Sequence, residues 1–132
     1  MTSPLTKNDF EMLAAFRYQL RRFLRFSEEV ASQRGITGLQ YLLLLQIRGF
    51  PGREWATIAE LAERLQSHHH GVVALVSRCV KAGLIERRPG QQDRRCVEIH
   101  LTSKGAQLVA ELAQLHHVQL AEVRQILRLL SA

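Results

Sequence analysis

The chain has 132 residues, enough for one domain with a real core, and sets 18 Lys and Arg against 12 Asp and Glu for a formal charge of +6. That balance favours a polyanionic partner, nucleic acid or an anionic membrane. No apolar run approaches the roughly 18 residues of a membrane span. The N-terminus lacks the order of a signal peptide, and Cys79 and Cys96 form neither a disulfide framework nor a CxxC knuckle. The expectation is a cytoplasmic protein with no membrane partner.

A capping-box pattern, Thr6 with Asp9, opens a helix over 7–33 that Arg34-Gly35 closes. Leu13, Phe16, Leu20, Phe23 and Val30 recur at three- and four-residue steps, broken at Ser27, and give it one apolar face. Arg17, Arg21 and Arg25 make an i,i+4,i+8 stripe, read as a solvated face with an anion contact as the alternative. Thr37 with Gln40 opens a second helix, 38–48, apolar nearly all round and so the buried centre; Gly49-Phe50-Pro51-Gly52 ends it. Thr57 with Glu60 opens a third, 58–65. A fourth follows over 67–82 and Gly83 stops it. Its start is less clearly marked, because no acid stands three residues on.

Segments 84–88 and 95–101 read as strands around the turn Pro89-Gly90-Gln91-Gln92-Asp93. In the second, Val97, Ile99 and Leu101 alternate with Cys96, Glu98 and His100, which predicts that the first set is buried. Thr102 opens a last helix reaching Leu130. The expected fold is mainly α, a single domain. Residues 37–101 form a winged helix-turn-helix with a two-stranded β wing, and the flanking helices at 6–36 and 102–131 serve dimerisation.

Two short helices, a tight turn and a basic-tipped hairpin are a device for placing one helix in the DNA major groove. Over 67–82 a 3.6-residue period puts Val72, Leu75, Val76 and Cys79 on one side and His70, Val73, Ala74, Ser77, Arg78 and Lys81 on the other. Arg78 or a histidine can donate to guanine, and Val73 or Ala74 can touch a thymine methyl. Ser67, His68 and His69 belong to the same surface, the histidines as caps or DNA contacts, and Lys81 suits a phosphate. In the wing, Arg87, Arg88, Arg94 and Arg95 suit the electronegative minor groove. Asp93 is expected to orient a neighbouring arginine by a bidentate pair.

The long terminal helices are more amphipathic than one small core can use. Leu13, Phe16 and Leu20 in the first, with Leu112, Leu115, Val123, Ile126, Leu127 and Leu130 in the last, make stripes that would leave a large apolar patch on a monomer. A two-fold homodimer covers them and sets two recognition helices about one DNA turn apart.

These residues resemble the MarR family of bacterial transcription regulators. The stretches that carry the likeness are LAERL at 61–65, KAGLIERR at 81–88, DRR at 93–95 and LTSKG at 101–105, with Asp93-x-Arg95 the most specific. The resemblance implies a winged-helix homodimer that represses from palindromic operators on double-stranded DNA, with Arg95 reaching the minor groove. It also implies relief by a small anionic or phenolic effector. The chain departs from the family at His68-His69-His70 and in having no loop between two final helices.

No Gly-rich phosphate loop, nucleophile–base pair or HExxH appears, so neither an enzyme nor a catalytic residue is expected, and no resident metal or cofactor. The rival readings are a winged-helix module that binds protein, and a regulator that senses zinc through His100, His116 and His117 or oxidant through Cys96. Adjacent helical histidines point about 100 degrees apart, which weighs against the zinc set. Cys79 falls on the core face as a small hydrophobe.

Overall fold

The computed structural model describes residues 3–131, excepting the side chains at 123, 126, 127 and 129–131. The elements run α1 (Lys7–Gln33), α2 (Gly38–Arg48), β1 (Trp55–Ala56), α3 (Ile58–Leu65), α4 (His69–Lys81), β2 (Ile85–Pro89), β3 (Val97–Leu101) and α5 (Ser103–Ser131). Three helix starts are set by the expected chemistry. Thr6, Thr37 and Thr57 each accept from the backbone N–H three residues on, while Asp9, Gln40 and Glu60 reach back to the cap N–H. Each such pair satisfies two backbone donors that a helix start leaves open.

The core centres on α2. Leu43, Leu44 and Ile47 are fully buried, with Val72, Leu75, Val76 and Cys79 of α4 and Leu61 of α3 around them. Burying each large aliphatic contributes about 1.5–3 kcal/mol. The end of α1 joins this core through Val30 and Ala31, and Arg34 pairs with Glu111 to tie α1 to α5. α5 is continuous from Ser103 to Ser131, as the missing loop implied.

The two-stranded wing is present as β2 paired with β3, and β1, which the sequence reading did not name, adds a third strand in the order β1-β3-β2. β1 is two residues long, too short to show a period. Two expectations about the fold need correction. In β3, Val97 is 43% exposed while Glu98 is only 7% exposed, the reverse of the alternation. Val97 lies at the far end of the strand, paired with exposed Pro89, whereas Glu98 shares a face with His100, against which Trp55 of β1 is registered. A third strand and the wing turn cover the face that the pattern assigned to solvent.

Leu112 is the other correction to the fold. It is fully buried within the single chain and so belongs to the core, not to a free dimer stripe. Leu13, Leu20 and Leu115 are exposed and Phe16 is half-buried. Val123, Ile126, Leu127 and Leu130 lie outside the described side chains.

Candidate nucleic-acid interface

The turn between α3 and α4 is made by Gln66, which takes a left-handed conformation (φ 52°) and turns the chain sharply after α3. α4 then starts at His69, so Ser67 sits in the turn, its hydroxyl donating to the Leu65 carbonyl. His68 is the N-cap but makes no side-chain capping bond, which corrects the expectation that the histidines cap. The first turn carries no acid, so no carboxylate of that turn offsets the positive end of the helix dipole. The His68 and His70 rings stack parallel, 6.1 Å apart.

The predicted split of α4 is present. Val72, Leu75, Val76 and Cys79 are buried, while His69, His70, Val73, Ala74, Ser77, Arg78 and Lys81 are exposed. Burial raises the Cys79 thiol pKa above its ordinary value and leaves the sulfur a packing group.

The wing turn is built from its backbone. Gly90 N–H donates to the Cys96 carbonyl (2.8 Å) and Cys96 N–H to the Asp93 carbonyl (3.0 Å). A side chain at position 90 would run into that Asp93 carbonyl. Asp93 accepts from the Arg95 backbone N–H at 3.0 Å, from its Nε at 3.2 Å and from Nη2 at 3.4 Å. This is the bidentate pair expected from the sequence. The Arg95 N–H and then its guanidinium hold the Asp93 carboxyl below the usual aspartate range. With its guanidinium paired to Asp93, the Arg95 side chain still stands 91% exposed.

The other wing arginines differ. Arg94 is exposed, Arg88 is paired with Glu86, and Arg87 points to α4, where its Nη2 donates to Ser77 Oγ at 3.0 Å. Arg87 and Ser77 were expected as separate DNA contacts, yet they are partners of each other.

Sequence reasoning missed the group beneath the wing. Glu98 accepts from His100 Nε2 at 2.9 Å and, at the long distance of 3.4 Å, from the Gln91 N–H. The His100 ring stacks on Trp55, which carries Arg53 on its ring at 3.9 Å, and Arg53 pairs with Glu60 of the α3 capping box. Desolvation pushes the Glu60 pKa up, but the Thr57 bonds and Arg53 together outweigh it and hold it below the ordinary value. These residues line a cleft of about 590 Å³ that Cys96 also borders. An aromatic just before a Thr-x-x-Glu box was the one signal in the sequence, and it is weak.

His100 and His116 do not meet. His116 is buried between helices, stacked on Tyr41 (5.2 Å) with Phe23 and Phe26 edge-on, and its Nδ1 donates to the Leu112 carbonyl at 2.7 Å. The zinc set proposed from the sequence is therefore split between the wing sheet and the helical layer. His117, beside it, is exposed.

A helix of this kind beside a wing defines the winged helix-turn-helix class. A model described as MarR family matches residues 34–95. A curated Thauera aromatica relative, named as a putative transcriptional regulatory protein for the hcr operon, is 29% identical over 98 residues. The match covers 74% of this chain but only 57% of that protein. Among solved structures, a mutant MarR from E. coli complexed with operator DNA is 26% identical with a TM-score of 0.68, covering 91% of this chain and 84% of that one. A MarR family protein from Bacillus stearothermophilus shares the fold with a TM-score of 0.79 at 21% identity, over 92% of this chain and 82% of that one. The likeness to the MarR family therefore covers residues 34–95, from the end of α1 to the wing turn.

Proposed function

We propose that the chain is a sequence-specific, duplex-DNA-binding transcription regulator that acts as a homodimeric repressor on a palindromic operator. The observation that carries this reading is the pairing of an open α4 face with a wing arginine that Asp93 orients toward solvent. His69, His70, Val73, Ala74 and Arg78 offer hydrogen bonds and small apolar groups to base edges, Lys81 meets phosphate, and Arg94 and Arg95 enter the minor groove. That an E. coli MarR structure contains operator DNA supports the same role here.

A second copy of the chain is the partner that the exposed Leu5, Phe10, Leu13, Leu20 and Leu24 toward one end and Leu115, Val118 and Leu120 toward the other would require. Among the described residues no helix is long and apolar enough to cross a membrane, so a bilayer-spanning role for these surfaces has no support. A small anionic or phenolic effector follows from the family resemblance.

The test is a salt series of binding to the DNA upstream of the protein's own coding sequence and to random duplex. A regulator favours its own site by roughly a thousandfold or more, and equal affinities would reject sequence-specific regulation at that site. Arg95→Ala should weaken specific binding by about 1–3 kcal/mol. If Arg95→Ala binds like the parent, the wing has no part in recognition. A protein-binding module would instead keep its DNA behaviour unchanged when Arg78 is reversed to Glu.

A further inference from the structure

We infer that Arg87 is a positioning residue that fastens the wing to the recognition helix through Ser77, and is not one of the groups that grip DNA. What the fastening serves rests on the proposed DNA-binding reading, whereas the fastening itself is testable without DNA.

In the sheet register Arg87 stands opposite Ile99, two residues beyond Ile85. Residues at alternate positions of a strand, and residues directly opposite across a ladder, share a face. Arg87 therefore lies on the face that carries buried Ile85 and Ile99, the face that packs against α4. From there its Nη2 reaches the Ser77 hydroxyl at 3.0 Å, on a helix whose Val76 is in the core one position earlier.

The location gives the bond its purpose. Toward the tip the inner face runs out of core: Pro89 is exposed, and so is Val97 across from it. Apolar contact fixes the wing only at its base, and a hairpin held only there swings about it. A directional bond between Arg87 and the outer flank of α4 restrains that swing at the level where the core stops. Two elements meant for adjacent grooves of one duplex depend on a fixed angle between them, because misplacement by even an ångström removes directional contacts.

The test is a double-mutant cycle with Arg87→Met, which keeps the aliphatic stem but removes charge and donors, Ser77→Ala, and the double variant. In thermal unfolding at fixed protein concentration each single variant should melt below the parent, and the double variant should melt no lower than the singles. Shifts that add, or no shift in either single variant, would overturn the fastening.

In binding to the upstream duplex, each single variant should lose about threefold, the size of one exposed charged hydrogen bond, and the double variant no more. The slope of log affinity against log salt should stay at the parental value. A slope flattened by about 0.9 in Arg87→Met would make Arg87 a phosphate contact and reject the inference. If the parent shows no specific DNA binding, the proposed function fails on its own, and the unfolding cycle still decides the fastening.

Discussion

Gly105, the glycine of the LTSKG segment, offers a sharp test of how the helix-turn-helix unit is joined to the last helix. A Cβ at this position would lie 1.9 Å from the Leu84 carbonyl oxygen, 2.9 Å from its carbon and 3.2 Å from its Cα. Even close carbon–oxygen contacts sit near roughly 3.3 Å, so alanine must part the two backbones by about 1.4 Å.

That contact joins the end of α4 to the start of α5. Leu84 follows α4, and the same carbonyl accepts from Thr102 N–H at 3.1 Å. Thr102 Oγ1 also donates to the Gly83 carbonyl, and Lys104 Nζ to the Ala82 carbonyl at 2.9 Å. Overpacking costs about 1–3 kcal/mol and losing two of these bonds about 1 kcal/mol each, against a helix-propensity gain of about 1 kcal/mol. The expected net for Gly105→Ala is about 2–4 kcal/mol destabilising, a melting point lower by on the order of 10 °C.

Gly71→Ala is the matched control. It lies in α4 with nothing within 4 Å of its would-be Cβ, and should gain up to about 1 kcal/mol. Thermal unfolding followed by circular dichroism, at one protein concentration, reads both. A Gly105→Ala protein as stable as its parent would refute the close approach of α5 to Leu84.

Two leucines separate core from the proposed dimer surface: Leu112→Ala should cost about 2–5 kcal/mol by leaving a cavity without altering the proposed seam, whereas Leu115→Asp should leave the chain folded and shift sedimentation toward one chain. A thiol reagent near neutral pH should modify Cys96 and spare Cys79 until the protein unfolds, since one is exposed and the other buried with a raised pKa. Two fast-reacting thiols would place α4 differently. The Asp93 carboxyl should titrate below the ordinary aspartate range by NMR. Because its folded pKa is depressed, its pairing with Arg95 is fully present above the ordinary value and is lost as pH falls through the lowered one. An ordinary Asp93 titration would mean that the wing turn is not ordered this way.

Much of the architecture was legible because it is written in short-range chemistry. A threonine and an acid or amide three residues on define a helix start with no help from elsewhere, and all three such starts stand where the pattern put them. The split of α4 and the Asp93–Arg95 pair are equally local. Leu112 and Leu115, by contrast, look alike in sequence, three residues apart on one amphipathic helix. Only the assembled chain, with α1 and α2 packed on α5, shows that one is core and the other exposed.

The same holds for Glu98, Arg87 and β1. A strand's alternation says that two faces differ, not what comes to cover each. Here a two-residue strand and its Trp55 close over Glu98, while α4 stops short of Val97 and leaves Arg87 to bridge the gap. The residues alone settled where helices begin and which side of α4 is apolar, since neighbours within one turn decide that. Which polar groups are buried and which arginine is spoken for depended on contacts between distant segments, which only the folded chain brings together.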